Sequence, residues 1–535
     1  MNILQSQHRG DFLMKSISYM VVLAFLFLLL FSNRFLFSEE GFRLIATLSG
    51  EKEGDEFCTV CGVGDINGDG YNDIAVGARE GNYVKIYFGG SPFDTVCDLR
   101  LSCAAGSYFG HRIAGGDFNG DGYSDIVVGA PLYSADGNYW GGRVYVYFGG
   151  ENMDSIPDLV MMPEYWRALL GVAVANGGDV NGDGYDDLLA GALHEEYMRG
   201  HVYIYYGGAK MDNVYDVHIE GREYDFIGEA IDGVGDINKD GYDDILIGAS
   251  GRGEGPGKAY LVYGGDNIGL ENAEILYGDT VGYKDFGRWV SGLDDVNGDG
   301  YPDLGVLALD YFEIISGKSF EVLIRKCLWR KWNHCQSVAD LKDLNNDGYS
   351  DFLIGISNGD SAYTGEAEIY FGKAEIDTTP DHHLYGKIPH YYFGKSASYI
   401  GDINKDGYKE IAISELNKVY IFSFGDFNSI KVNNPETISD EYRLYQNYPN
   451  PFNDITMIVY EVGWHCNVDL DIYDLRGQKV RSLFSGEKSR GTHSIIWDGR
   501  DDSGRIVPTG IYLYKLEIRN GERIYVDIRK MLFLK

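Results

Sequence analysis

Seven short stretches of this chain place an acidic or amide side chain at every second position. The first, DINGDGYND, runs from Asp65 to Asp73. Oxygens at positions one, three, five and nine, with the carbonyl of position seven, can converge on one hard cation, and the glycine at position six permits the sharp turn. An all-oxygen, mostly anionic set suits calcium over zinc or copper. In the first loop the set is Asp65, Asn67, Asp69, Tyr71 and Asp73. The next three supply Asp117, Asn119, Asp121, Tyr123 and Asp125; Asp179, Asn181, Asp183, Tyr185 and Asp187; and Asp236, Asn238, Asp240, Tyr242 and Asp244. The last three supply Asp295, Asn297, Asp299, Tyr301 and Asp303; Asp343, Asn345, Asp347, Tyr349 and Asp351; and Asp402, Asn404, Asp406, Tyr408 and Glu410. Each tyrosine would give its carbonyl, and Glu410 departs from the pattern with a longer reach. An EF-hand is excluded, because position twelve is apolar and the flanks read as strands. Ion-free Asx turns are the plain alternative; seven copies with one ligand spacing argue for up to seven calcium sites.

The elements that must hold these loops repeat with them. First aspartates are spaced 52, 62, 57, 59, 48 and 59 residues apart, a period that signals a propeller, solenoid or array. After each loop comes a short apolar run such as IAVGA or ILIGA, then usually an alternating aromatic run such as VKIYFGG or HVYIYYGG. Both read as strands, with glycines at the ends. No helical periodicity of useful length lies between residues 40 and 430. Each repeat is thus a small antiparallel sheet of about four strands, which buries both faces only when stacked on its neighbours. The segment Arg43–Phe57 has the look of the piece missing after Phe422. It is expected to complete the last sheet and close the ring without an open edge.

Phe-Gly, then the Asp-rich loop, then Val-Gly-Ala(-Pro), resembles the FG-GAP repeat of integrin α subunits and related bacterial proteins. Phe109-Gly110, Phe286-Gly287 and Phe393-Gly394 carry the name motif; Leu170-Gly171 is a variant, Phe226-Ile227-Gly228 reads as an insertion, and repeats one and six lack it. Gly129-Ala130-Pro131 is the full Gly-Ala-Pro. The resemblance implies an all-β, seven-bladed β-propeller over residues 39–423, with the loops as calcium sites at hairpin turns on one face.

Residues 424–440 read as a linker, and 441–535 as a small Ig-like β-sandwich of about seven strands. The run from Tyr445 to Asn453, YQNYPNPFN, with Ile472-Tyr473-Asp474-Leu475, Gly477, Trp497-Asp498-Gly499, Gly510-Ile511-Tyr512 and Lys530-Met531-Leu532, resembles the type A sorting domain of bacterial type IX secretion and the Ig-like domain of flagellar hook-capping proteins. It implies the secretion machinery as a partner. Asp498, Asp501 and Asp502 have the wrong spacing for another metal loop and read as a solvated turn.

Residues 1–38 hold Lys15 and an apolar run from Ile17 to Phe31, read as a signal peptide cleaved near Ser38, with a retained N-terminal anchor as the alternative; membrane contact is expected only through this segment or through surface attachment. Export permits disulfides, and Cys97/Cys103 and Cys327/Cys335 are spaced for hairpin-local bridges, although spacing does not fix connectivity. The formal net charge of −35 argues against nucleic acid.

No catalytic motif stands in a convincing context: Gly355-Ile356-Ser357-Asn358-Gly359 matches a nucleophile elbow but lacks the following helix. The expected function is a non-enzymatic adhesion or recognition scaffold for an extracellular glycan or protein ligand, on the cell surface or secreted. Candidate contact loops are Tyr133–Trp140, Tyr165–Trp166 and Trp329–Trp332. The alternatives are a polysaccharide-degrading enzyme and a structural surface-layer component.

Overall fold

A strand buried on both faces must be apolar throughout, and the run after each loop meets that demand: Asp73–Ala78 and Asp244–Ala249 are buried at every position. The structure, a computed structural model, describes residues 41–425 and 442–534, apart from segments at 135–139, 164–166, 194–198, 252–256, 279–284, 329–333, 358–363 and 387–391, and short gaps between 445 and 522. The N-terminal signal or anchor, most of the linker, Trp329–Trp332, Tyr165–Trp166 and most of Tyr133–Trp140 therefore lie outside the described residues. Those described form strands and no α-helix, and none of their elements is a helix long and apolar enough to cross a membrane. The chain divides into two compact units, Met1–Ser429 and Ile430–Lys535.

Seven four-stranded antiparallel sheets make up the described part of the first unit. Their inner strands are Phe57–Gly64, Ile113–Gly116, Ala173–Asn176, Ile231–Gly235, Trp289–Leu293, His334–Lys342 and Ala397–Gly401. Each lies beside the next in this order, and the last lies beside the first. Phe42–Ser49 pairs antiparallel with Lys418–Phe424, so the N-terminal strand supplies the outer edge of the seventh sheet.

Glycines set the spacing between sheets. A β-carbon on Gly77, Gly129, Gly191, Gly248 or Gly355 would overlap the carbonyl oxygen of Gly110, Gly171, Gly228, Gly287 or Gly394 of the following repeat. The Gly of Val-Gly-Ala and the Gly of Phe-Gly thus face each other across every one of these boundaries. Repeats one and six lack Phe-Gly because their partners are altered too. Leu307 and Ser414 stand where the preceding sheets need the glycine, and Phe57-Cys58 and Cys335-Gln336, where the strands bulge, stand in for Phe-Gly. The fourth repeat holds no insertion: Ile227 takes the place of the phenylalanine and bridges Gly200 as Phe286 bridges Gly257 and Phe393 bridges Gly365.

The expected disulfides are absent, and all seven cysteines are free thiols. Cys97 and Cys103 flank the whole strand Leu99–Ser102, and Cys327 and Cys335 belong to different sheets. Burial pushes the Cys61 thiol up to about 12 and raises Cys58, which removes both from thiolate chemistry. Gly355–Ser357 lies within a strand, not at an elbow.

In the second unit, Tyr442–Leu444, Thr456–Val462 and Gly491–Trp497 form one sheet, and Cys466–Asp474, Lys479–Lys488, Gly510–Asn520 and Arg523–Phe533 form the other. Ile458, Tyr460, Leu470, Leu516 and the fully buried Trp497 share one core. The Asn-Pro-Phe motif ties into it: Asn450 Oδ1 accepts from Leu532 N at 2.8 Å, and Phe452 lies 5.5 Å from Trp497 and 5.0 Å from Phe533, centroid to centroid. Asp498, Asp501 and Asp502 are occupied by Arg481, Arg505 and Ser482 N, in keeping with a turn.

Candidate metal centres

Every Asp-rich loop joins the inner strand of a sheet to its second strand, so all seven occupy equivalent hairpin ends. Position one organises the turn. Asp65 accepts from Gly68 N and Gly70 N, both at 2.7 Å; Asp179 accepts from Gly182 N at 2.7 Å and Gly184 N at 2.9 Å. Asn67 Oδ1 accepts from Asp69 N at 2.8 Å and Asp69 Oδ1 from Tyr71 N at 2.9 Å. The fifth loop differs. There Asn297 turns its amide to Asp303 Oδ1 at 3.3 Å, and Asp299 Oδ2 accepts from Ser316 Oγ at 3.2 Å.

Position nine is the floor of each loop. Asp73, Asp125, Asp187, Asp244, Asp303, Asp351 and Glu410 are all 0% exposed. One oxygen of Asp73 accepts from Ile66 N at 2.9 Å and the other from Gly89 N at 2.7 Å. The same bracket recurs at Asp125, Asp187, Asp244, Asp303 and Asp351, which explains the glycine after each aromatic strand. Glu410 keeps only the first of these, from Ile403 N at 3.1 Å, because Gly425 N bonds Gly41 O instead. Burial, reinforced by the neighbouring loop aspartates and opposed by the backbone donors, pushes all seven carboxyls up to about 7. Among the described residues no Lys or Arg pairs with any of them.

The donor set fits a hard cation: oxygen only, anionic, with a buried carboxylate with which no described Lys or Arg pairs. The side chains of positions one, three, five and nine and the tyrosine carbonyl would hold it, and it would supply charge neutralisation and cross-linking of the turn. The loops as they stand are closed by backbone N–H donors. Among the described residues no three acidic, His or Cys side chains are gathered as a metal cluster.

One feature escaped the sequence reading. The position-seven tyrosine side chain reaches the preceding loop. Tyr123, Tyr185, Tyr242 and Tyr349 cover Gly68, Gly120, Gly182 and Gly298, leaving no room for a β-carbon. Where position four is lysine, the ammonium takes the ring instead: Lys239 Nζ lies 3.7 Å from the Tyr301 centroid, and Lys405 Nζ lies 4.1 Å from that of Tyr71. The latter joins loop seven to loop one. Lys239, Asn346 and Lys405 all adopt positive φ, so position four demands the left-handed region that glycine fills elsewhere.

Comparison with known proteins places this architecture. FG-GAP repeats match residues 60–91, 109–147, 170–205 and 229–263, and the FlgD Ig-like domain matches residues 466–522. The chain thus carries four stretches that match FG-GAP repeats, in an all-β build, and an Ig-like match toward its C-terminus. Among curated proteins it is similar to integrin alpha-5 of Xenopus laevis, 34% identical over 206 residues, covering 35% of this chain and 19% of that protein. It is also similar to integrin alpha-4 of Xenopus laevis, 35% identical over 151 residues (27% and 14%), and to integrin alpha-PS2 of Drosophila melanogaster, 32% identical over 204 residues (35% and 14%). The chain spans less than a fifth of the length of these relatives.

Proposed function

We propose that residues 39–423 form a seven-bladed, calcium-stapled β-propeller that serves outside the cell as a non-enzymatic adhesion or recognition scaffold. The observation that carries this is the recurrence, at equivalent hairpin ends, of seven oxygen-rich loops each floored by a buried carboxylate, on a chain similar to integrin α subunits. Calcium at all seven loops is a structural staple in this reading, and the opposite loops are free for a glycan or protein ligand. Residues 1–38 direct export, 424–440 link, and 441–535 act as the sorting domain read by the type IX machinery; the FlgD Ig-like match supports the Ig-like half of that reading. The test is calorimetric titration of chelator-treated protein with calcium, followed by array screening against glycans and matrix proteins. Binding of several calcium ions per chain with a rise in Tm, and calcium-dependent capture of one ligand class, are expected. A folded protein that takes up no calcium would overturn the staple; hydrolysis of an arrayed polysaccharide would move it to the enzymes.

A further inference from the structure

Arg112 stands just before the inner strand Ile113–Gly116, at the end of its sheet away from the acidic loop. Gly129 N donates to its carbonyl, which fixes its level in the sheet. The same register elsewhere places Thr59, Ala173, Ala230, Trp289, Ser337 and Ser396 at that level. Arg112 is the one charged residue of this tier, and five of its six companions carry small side chains.

Its electrostatic surroundings are unusual for a chain of net charge −35. The guanidinium makes no hydrogen bond or ion pair with a described residue. Its side chain keeps partial contact with solvent, yet burial, then the charge of Arg79, lowers its pKa. Among the described residues the nearby carboxylates are already engaged: Glu56 pairs with Arg79 at 2.5 Å and Lys395 at 3.3 Å, while Glu229 accepts from Ser250 Oγ at 3.4 Å and attracts Arg112 only from beyond pairing distance. His111 does not compensate. Burial, Arg112, Arg79 and Lys395 hold it well below its ordinary range, hence neutral, and its Nδ1 is buried without a partner. A partly buried cation that pairs with no described carboxylate costs folding energy that a ligand anion returns.

We infer that Arg112, at the end of the inner strands away from the acidic loops, is an anion site that receives a single carboxylate, the Asp or Glu side chain of a partner protein. A guanidinium matches a carboxylate in a two-point fork. One cation inside an acidic molecule suits one inserted carboxylate; a polyanionic glycan would need a track of cations and would meet the repulsion of the whole surface. The inference rests on the recognition reading and names the chemistry of its ligand.

The experiment titrates the full calcium-loaded chain with Ac-Gly-Glu-Gly-NH2, its Gln counterpart and a heparin tetrasaccharide, each also against R112Q and R112K. Saturable binding of the Glu peptide is expected, with the Gln peptide and R112Q at least tenfold weaker and R112K intermediate. R112Q should melt no lower than the parent, since it removes an unpaired cation; a lower Tm together with lost binding would make Arg112 a scaffold residue and overturn the site. Equal binding of both peptides, undiminished binding by R112Q, or binding of the heparin fragment alone would also overturn it. A macromolecular partner that binds R112Q at full strength would remove this site and leave the recognition reading standing. Arg112-dependent peptide binding in a protein that captures no macromolecule would support the site and sink that reading.

Discussion

The buried carboxylate of position nine decides what each loop is for. Without a cation it is an acid held near neutrality by burial; with one, its charge becomes an asset. Asp187→Asn should therefore lower the number of bound calcium ions by one in native mass spectrometry. At calcium tenfold above the dissociation constant, its stability should fall by about 1.4 kcal/mol. In chelator the same variant should be as stable as the parent or more so, because a buried charge has gone. An unchanged ion count would remove the loops from the metal reading. The ligand positions were legible in the sequence because oxygen donors must alternate to face one point. The tyrosine ring was not, since its contact lies in a loop about 50–65 residues away in sequence. Lys405→Ala should accordingly cost about 0.5–1 kcal/mol through the lost cation–π contact with Tyr71, read as a shift in urea midpoint; no shift would mean that the contact does not bind loop seven to loop one.

Between elements, the name motif is a packing device. Gly248 faces Gly287 so closely that Gly248→Ala must push two sheets apart, at a cost of about 1–3 kcal/mol. Gly122 offers the contrast: a β-carbon there meets nothing, but φ is 88°, so Gly122→Ala pays only the left-handed backbone cost of about 1 kcal/mol. Equilibrium urea unfolding of the two variants should rank them in that order, and the reverse ranking would refute close sheet contact. Sheet number and strand order could be read from the period because each repeat is one hairpin ladder. The pairing of the two glycines could not, because each belongs to a different repeat, and the altered pairs at Leu307/Gln336 and Ser414/Cys58 looked like simple decay of the motif. The disulfides failed for a related reason: Cys327 and Cys335 are eight residues apart, but a sheet boundary falls between them, and sequence distance says nothing about which sheet a thiol joins.

At the scale of the first unit, a ring of sheets is stable only if its ends meet. Besides the Lys405–Tyr71 and Lys395–Glu56 side-chain contacts, three kinds of backbone contact hold them here. Phe42–Ser49 pairs along Lys418–Phe424; Gly90 N donates to Ile403 O at 2.8 Å; and Gly62 packs against the backbone of Tyr399 and Ile400. The first contributes a whole strand, with Phe42 and Leu48 buried, so it dominates. Residues 42–49 were recognisable from sequence because they restore the strand missing after Phe422. A chain that starts at Glu51 exposes the edge of Lys418–Phe424 and two core residues' worth of apolar surface. It should lose about 3–6 kcal/mol from side-chain burial alone, melt well below the parent in calcium, and aggregate through the bare edge. A chain that starts at Gly41 keeps the strand and should melt with the parent. If the two truncations melt alike, the strand is decoration, and closure rests on the inner strands and loops alone.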